Sequence, residues 1–340
     1  PRIAQLGPVK VIQALVNKLC DYDDVNIKLY YLDKEVDTDM RMNVPVARYN
    51  SRSFSFDDYD VIHTNGIRPD LIAFMNRKKI KYHISTVHNL VFEDLAFTYN
   101  RLISFVFGYT WICLWKRADK LVCVSEAVKN YCSKWFPETH LEVIYNGIAE
   151  QDNSFGPDSD VLGAINFLRS RDLKILGFAG ILTKRKGIDL LLHLLEVEPG
   201  YALIIIGQGK ELLSLKRLAG ELKITERLIF AGFRSEAVNY IKYFDFFIMP
   251  SRSEGFGLAM IEAAQQKVPV ICSDIEVFRE LMNVDEVTFF KLEDITSLTN
   301  ALKVATETSN KNVDKAYTRY FNNYTDSLMA KRYYDLYKSA

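Results

Sequence analysis

Short runs rich in Val, Ile, Phe and Tyr alternate along this chain with longer segments whose apolar residues recur at helical spacing, and the runs carry almost no polar positions. Strands of that kind are buried on both faces, which happens when a parallel sheet is covered by helices on each side. Strands are expected at 26–33, 60–66, 81–89, 120–126 and 142–148 in the first half. The second half repeats the pattern at 173–180, 201–207, 227–233, 244–251, 268–274 and 287–291, with helical pieces such as 187–195 and 211–222 between them. The segment 150–160, EQDNSFGPDSD, is polar, holds Gly156 and Pro157, and reads as a linker. The expected fold class is therefore α/β, with two doubly wound Rossmann-like domains. The 340 residues suffice for two domains. Such a pair is expected to take a ligand at the carboxyl ends of both sheets, in a cleft between the domains.

The boundaries that follow are an N-terminal domain over 1–150, a linker over 151–170, a C-terminal domain over 171–320 and a C-terminal helix over 321–340 that packs back on the N-terminal domain. No strand precedes the helix-like segment 11–20, so the first strand of the N-terminal domain is expected upstream of Pro1. Charge excludes one function class. The chain has 43 Lys and Arg against 43 Asp and Glu, and residues 1–150 alone hold 19 basic and 18 acidic side chains. A general nucleic-acid binder needs a basic excess to displace counterions from phosphates, so none is expected as a partner. The five cysteines, Cys20, Cys113, Cys123, Cys132 and Cys272, contain no CxxC and fit a reducing cytoplasm better than a disulfide framework or zinc site. The longest uncharged apolar run, 102–115, has 14 residues where a membrane span needs about 20. With no secretory signal at its start, the chain is expected to be cytoplasmic.

The most informative segment is 250–264, PSRSEGFGLAMIEAA, which follows the strand run FDFFIM and ends in good helix formers. Gly255 and Gly257 allow a tight turn and close approach to a ligand. A helix starting near Leu258 points its unpaired N–H groups at that ligand. Glu254 on the loop and Glu262 about one turn into the helix could both accept hydrogen bonds from vicinal hydroxyls. The bland alternative, Glu254 as a cap and Glu262 as a solvated side chain, stays open from these positions alone. A second element, 180–187 (GILTKRKG), places Lys184, Arg185 and Lys186 on the turn between a buried strand and a helix. Three cations at a helix start are opposed by the helix dipole, so a bound anion explains them better than packing does, although a solvated basic loop is also open. The GQG at 207–209 lacks the third glycine of a dinucleotide fingerprint and is not read as one.

Together these segments resemble the retaining glycosyltransferases of family 4, which have the GT-B fold. The family's two glutamates, seven residues between them in PSxxEGFGLxxxEA, stand here as Glu254 and Glu262. The resemblance is strongest over 173–281 and extends to DVIHTNG at 60–66, STVH at 85–88, RADKLVCVSEA at 117–127 and VIYNGI at 143–148. It implies a nucleotide-diphosphate-sugar donor held mainly by the C-terminal domain and an acceptor held mainly by the N-terminal one. By carry-over, Glu262 binds the ribose hydroxyls, Glu254 contacts the donor sugar and Lys186 binds the diphosphate, with Arg185 as the second phosphate cation. Gly255, Phe256, Gly257 and Leu258 line the same site, and His88 sits near the transferred sugar and the acceptor. Catalytic roles fall to His88, Glu254 and Lys186. Three departures are visible. Ile181 stands where the family usually has an arginine, and Ile275, Glu276 and Val277 replace glycines after Asp274. The glycine-rich turn near the N-terminus is reduced to Gly7 and Pro8, with Gly7 carried over as its diphosphate contact.

The resemblance further implies a retaining, metal-independent hexosyl transfer to a glycan or lipid-linked saccharide in cell-surface polysaccharide or lipopolysaccharide biosynthesis, with no cofactor and no metal. Asp-x-Asp triplets at 21/23, 37/39, 58/60 and 158/160 are scattered through polar places and read as chance. Two other readings stay open: a nucleotide-sugar epimerase of the same architecture, and a non-catalytic sugar-nucleotide-binding partner subunit. Residues 97–120, FTYNRLISFVFGYTWICLWKRADK, are unusually aromatic, with Trp111 and Trp115 just before Lys116 and Arg117. They read either as a buried or domain-packing helix or as a peripheral contact with the inner face of the membrane.

Overall fold

A computed structural model gives the structure of residues 7–33, 40–97, 99–150 and 158–340, the side chains of 309–311 excepted. The chain divides into two units, Pro1–Glu150 with Asn323–Ala340, and Gln151–Asn322.

The first unit runs α1 (Gly7–Leu19), β1 (Leu29–Tyr31), β2 (Val46–Arg48), β3 (Val61–Asn65), α2 (Ile67–Met75), β4 (Tyr82–Val87), α3 (Val91–Ala96), α4 (Arg101–Trp115), β5 (Lys120–Cys123), α5 (Glu126–Cys132) and β6 (Leu141–Val143). Strands β3, β4, β5 and β6 form a parallel sheet in that order, with Ile84 opposite Lys120 and Leu121 opposite Leu141. Ile84, Leu121, Val122 and Cys123 are fully buried, as expected of apolar strands covered on both faces. The short parallel pair β1–β2 stands apart from this sheet. A cavity of about 200 Å3, lined by residues of both β1 and β3 and by Phe54, Phe56 and Tyr59, separates the two.

The second unit runs α6 (Ser159–Ser170), β7 (Lys174–Ala179), α7 (Ile188–Val197), β8 (Tyr201–Ile206), α8 (Leu212–Glu221), β9 (Leu228–Gly232), α9 (Val238–Ile241), β10 (Phe246–Met249), α10 (Leu258–Gln265), β11 (Val270–Ser273), α11 (Glu276–Leu281), β12 (Thr288–Phe290) and α12 (Ile295–Asn323). Its six strands form one parallel sheet in the order β12-β11-β10-β7-β8-β9. The first strand of the unit, β7, therefore lies beside the fourth, β10. Winding reverses there, and the flanking connections leave on opposite faces, which opens a crevice at the carboxyl ends of these two strands. Leu176, Leu191, Leu203, Ile205, Ile248 and Ile271 belong to a fully buried cluster between sheet and helices.

The last helix, α13 (Asp326–Lys338), falls with the first unit. Thr325 bridges to Ile148, and Asp326 donates its N–H to the Ile148 carbonyl at 3.1 Å. Tyr337 and Tyr333 then bond His63 of β3 and Thr86 of β4 at 2.7 and 3.0 Å.

The alternation of strand and helix is as expected, with three differences. Residues 159–170, placed in the linker by composition, form α6, which buries Val161, Ile165 and Leu168 at helical spacing; residues 151–157 lie outside the described residues. Strand β2 has no counterpart among the expected strands because its three residues are exposed or half-buried and carry no apolar run. Strand β6 is shorter than the apolar run at 142–148, its tail ending in the bridge at Ile148. The strand expected upstream of Pro1 also lies outside the described residues.

Candidate active site

The crevice of the second unit is built from two loops, one after β7 and one after β10. The first carries the single helical turn Lys184–Lys186 and ends at Gly187, whose φ of 63° is left-handed. A Cβ at Gly187 would lie 2.0 Å from the Pro250 carbonyl oxygen, so glycine lets the two loops touch. The second loop holds Glu254 and leads through Gly257, at φ 90°, into α10.

These loops bring Arg185, Lys186 and Glu254 together. Lys186 Nζ donates to Glu254 Oε1 at 2.5 Å, and Arg185 Nη1 donates to Glu254 Oε2 at 2.9 Å and to the Ser253 carbonyl at 2.7 Å. Ser251 Oγ adds a third donor to the carboxylate at 2.7 Å. Glu254 is only 7% exposed. Burial alone would raise its pKa; the charges of Lys186 and Arg185, with hydrogen bonds from Lys186 and Ser251, outweigh that and hold it down at about 2. The carboxylate stays ionised and orients both cations, and the trio keeps a net positive charge suited to an anion. The sequence reading gave the cations to phosphate and Glu254 to a sugar as separate tasks. In the structure the two loops interlock and the three groups form one cluster, so these tasks fall to neighbouring groups.

Arg252 is a positioning residue the sequence reading missed. Its N–H bonds the Arg185 carbonyl at 2.7 Å and its guanidinium bonds the Lys184 carbonyl at 2.6 Å. It also pairs with Asp189 at the start of α7, at 2.8 Å, and with Glu293. It thereby clamps the cationic turn to the Glu254 loop. Its place inside the PSRSEG segment was the available signal.

Gly255 and Gly257 are buried, and so is Phe256, at 3% exposed, which leaves the backbone of this turn as the part that could line the site. Leu258 opens α10, whose first N–H groups add partial positive charge. Glu262 lies one turn along α10, half-buried. Ile181, in place of the family's arginine, is exposed, and Ile275–Val277 lead into α11, whose Phe278 ring packs against Gly257. Among the described residues no group of three or more His, Cys, Asp or Glu side chains is arranged to hold a metal ion.

The remaining two expected residues belong to the first unit. His88 follows β4 at its carboxyl end, and its Nε2 bonds Asn65 Oδ1, at the end of β3, at 2.8 Å. Burial lowers its pKa to about 4. His88 is thus a neutral imidazole that donates from Nε2 and keeps Nδ1 as its basic atom. Gly7 is the first residue of α1. The other buried histidines are structural: His63 bonds Tyr337 and Thr86, and His83 bonds Thr64.

Residues 22–152 match the family described as Glycosyltransferase Family 4, and residues 166–319 match Glycosyl transferases group 1. The chain is 33% identical over 343 residues to the O-antigen biosynthesis glycosyltransferase WclY of Escherichia coli, a match that spans 98% of this chain and 95% of that one. The chain belongs to the family 4 glycosyltransferases. A second E. coli relative of this glycosyltransferase is the UDP-Gal:alpha-D-GlcNAc-diphosphoundecaprenol alpha-1,3-galactosyltransferase, 24% identical over 307 residues, or 85% of this chain and 77% of that one. Among solved structures, Anabaena HepE in complex with UDP and glucose superposes with a TM-score of 0.78 at 17% identity, over 100% of this chain and 99% of that one. The fold is GT-B.

Proposed function

We propose that this glycosyltransferase is a retaining, metal-independent enzyme that moves a sugar from a nucleotide-diphosphate sugar to a glycan or lipid-linked saccharide, in O-antigen or related cell-surface polysaccharide biosynthesis. The observation that carries the reading is the Arg185–Lys186–Glu254 cluster at the strand crossover of the second unit. In glycosyl transfer the bond between the anomeric carbon and the diphosphate breaks, and its electron pair leaves on the phosphate. Two cations already oriented by a buried carboxylate can stabilise that growing charge without reorganising. Arg185, Lys186 and the amino end of α10 take this role, which a metal ion fills in other designs. Glu262 takes the ribose hydroxyls, Glu254 also faces the donor sugar, and Gly7 is a minor diphosphate contact. His88, neutral at pH 7, accepts a hydrogen bond from a sugar hydroxyl through Nδ1. The relatives support the substrate classes: one is an O-antigen enzyme, one carries a UDP-sugar and a diphosphoundecaprenol acceptor in its name, and HepE binds UDP.

The test is incubation of the chain with UDP-, GDP- and ADP-sugars, with and without EDTA. Slow release of nucleoside diphosphate from one of them, unchanged by EDTA, is the expected result. A new sugar nucleotide in place of the diphosphate would identify an epimerase, and binding without turnover a non-catalytic partner. Turnover lost in EDTA and restored by Mg2+ or Mn2+ would overturn metal independence.

A further inference from the structure

His63, His83 and His88 sit on or just past the adjacent strands β3 and β4, and their ring nitrogens are used in different ways. Side chains alternate between the two faces of this strand pair, whose register sets Thr64 opposite Ser85 and Asn65 opposite Thr86. On one face His83 Nε2 bonds Thr64 Oγ1 at 2.8 Å. Thr64 and Ser85 donate there to one oxygen of the buried Asp70, and the indoles of Trp111 and Trp115 donate to its other oxygen at 2.7 and 3.0 Å. On the opposite face His63 bonds Tyr337 of α13 through Nδ1 and Thr86 through Nε2, both at 2.7 Å. Both nitrogens of His63 are therefore used inside the fold, and His83 Nδ1 is buried without a partner.

His88 differs from both. It is half-buried, one step past the carboxyl end of β4 on the face of His63 and Thr86, and only its Nε2 is engaged, by Asn65 Oδ1 at 2.8 Å. Its Nδ1 has no partner among the described residues and, unlike His83 Nδ1, is not a buried orphan. This is the one of the three that keeps a ring nitrogen for a ligand.

The state of that nitrogen depends on what the other one meets. An amide oxygen can only accept, so the ring carries its proton on Nε2 and Nδ1 becomes an acceptor. Asn65 is the last residue of β3, and its register partner Thr86 is bonded by Tyr333 of α13 at 3.0 Å, so the acceptor stands on a braced strand end. A carboxylate in its place would accept the same N–H but would also favour the imidazolium. The amide fixes the tautomer without adding charge. Groups on the surrounding elements are uncharged too. His63 is held at about 3 by burial and by the nearness of His88 and His83, and burial raises Tyr333 and Tyr337. On β5, Cys123 is raised by its hydrogen bond with Cys132 and by burial, and on α3 the Asp94 carboxylate is taken by Asn89 at 2.8 Å.

We propose that Asn65 is the positioning residue of His88, its Oδ1 holding the Nε2–H tautomer so that Nδ1 meets a substrate hydroxyl, a role that rests on the part given to His88 in transfer. Nitrogen NMR of the full chain labelled at its histidines, with His88→Gln to assign the signal, reads the tautomer directly. In the wild type at pH 7 the His88 proton should be on Nε2 and slow to exchange with water. Asn65→Leu removes the acceptor, so that proton should exchange rapidly, and kcat should fall about tenfold or more with the KM for donor unchanged. Asn65→Asp restores an acceptor and adds charge. The slow proton should return, while the His88 titration and the acid limb of kcat/KM both move up by about 1–3 pH units. A merely structural asparagine would move neither. A wild-type proton on Nδ1, a slow Nε2 proton retained in Asn65→Leu, or a His88 titration unmoved by Asn65→Asp would each overturn the proposal. The expected NMR changes with turnover unaffected in both variants would confirm the lock and count against the part of His88 in the reaction.

Discussion

Glu254 illustrates how far a single side chain depends on its neighbours. As an isolated buried carboxylate it would be protonated; with Lys186, Arg185 and Ser251 on its two oxygens it is ionised down to about pH 2. Replacing it with glutamine keeps the shape and removes the charge, leaving two poorly solvated cations without a partner. Loss of one partner from a buried pair costs roughly 3–5 kcal/mol, and the partial exposure of Lys186 and Arg185 places this case at or below the lower end. Glu254→Gln should therefore lower the melting temperature as well as turnover, the latter by about 100-fold or more given the size of preorganised electrostatic effects. Glu262→Gln should act mainly on the KM for donor. Steady-state kinetics with thermal melts distinguish these, and equal mild losses in both variants would undo the assignment. At His88 the lowered pKa has a kinetic counterpart. If the neutral imidazole is the working form, the acid limb of kcat/KM lies near pH 4, and a limb near the unperturbed histidine value of about 6.5 would show that His88 is not the group observed.

Among the elements, the turn from β10 into α10 is constrained by both backbone geometry and side-chain packing. Gly257 has φ 90°, and a Cβ on it would lie 2.6 Å from Phe278 Cε1 of α11. Gly257→Ala must therefore move a buried ring and hold a strained backbone, at a cost of about 1–3 kcal/mol. Phe278→Leu in the Gly257→Ala background should recover part of the stability by removing the ring edge, while the backbone strain persists. Denaturant unfolding of the two single variants and the double variant measures this coupling, and purely additive losses would show that ring and glycine do not interact. Ile275 precedes α11, and Glu276 and Val277 form its first turn, next to the Phe278 ring that faces Gly257.

For the whole molecule, the two units carry acid-sensitive groups in different pH windows. His63, His83 and His88 are all lowered by burial, to about 3, 4 and 4. Below about pH 6.5 the unfolded chain binds protons at these positions and the folded chain does not, so the first unit loses stability as pH falls from about 6.5 to about 4. Three such groups give a slope of up to about 4 kcal/mol per pH unit. Asp70 opposes this in part, because burial raises its pKa and favours the folded state once protonated. In the second unit Glu254 is lowered instead, and its stabilisation is lost only between about pH 4.5 and 2. Hydrogen exchange followed as pH is lowered should show the β3–β6 sheet losing protection before the β7–β12 sheet; the reverse order would mean that other groups control acid stability.

Much of this architecture was readable before any coordinates. Runs such as LIII and FFIM read as strands covered on both faces, and the PSRSEGFGL and GILTKRKG segments announced glycine-turned loops after strands. Local pattern determines such features, because apolar periodicity and glycine placement act within a few residues. What pattern could not supply was any fact that depends on which loops meet. The pairing of Lys186 and Arg185 with Glu254 joins residues 68 and 69 positions apart, and it exists because strand order places β7 beside β10. The clamp by Arg252 has the same origin. The aromatic stretch at 97–120 was ambiguous for a related reason: its composition suits a core helix, the commoner case, but also a membrane-interface helix. Asp70, 41 and 45 positions before the two tryptophans, decides which face turns inward. Sequence by itself determined most of the elements and the chemical kinds of residue available to a glycosyltransferase. Tertiary structure alone decided which charges compensate one another and which apolar face is left to water, since Coulomb energy and burial depend on distance in space rather than on separation along the chain.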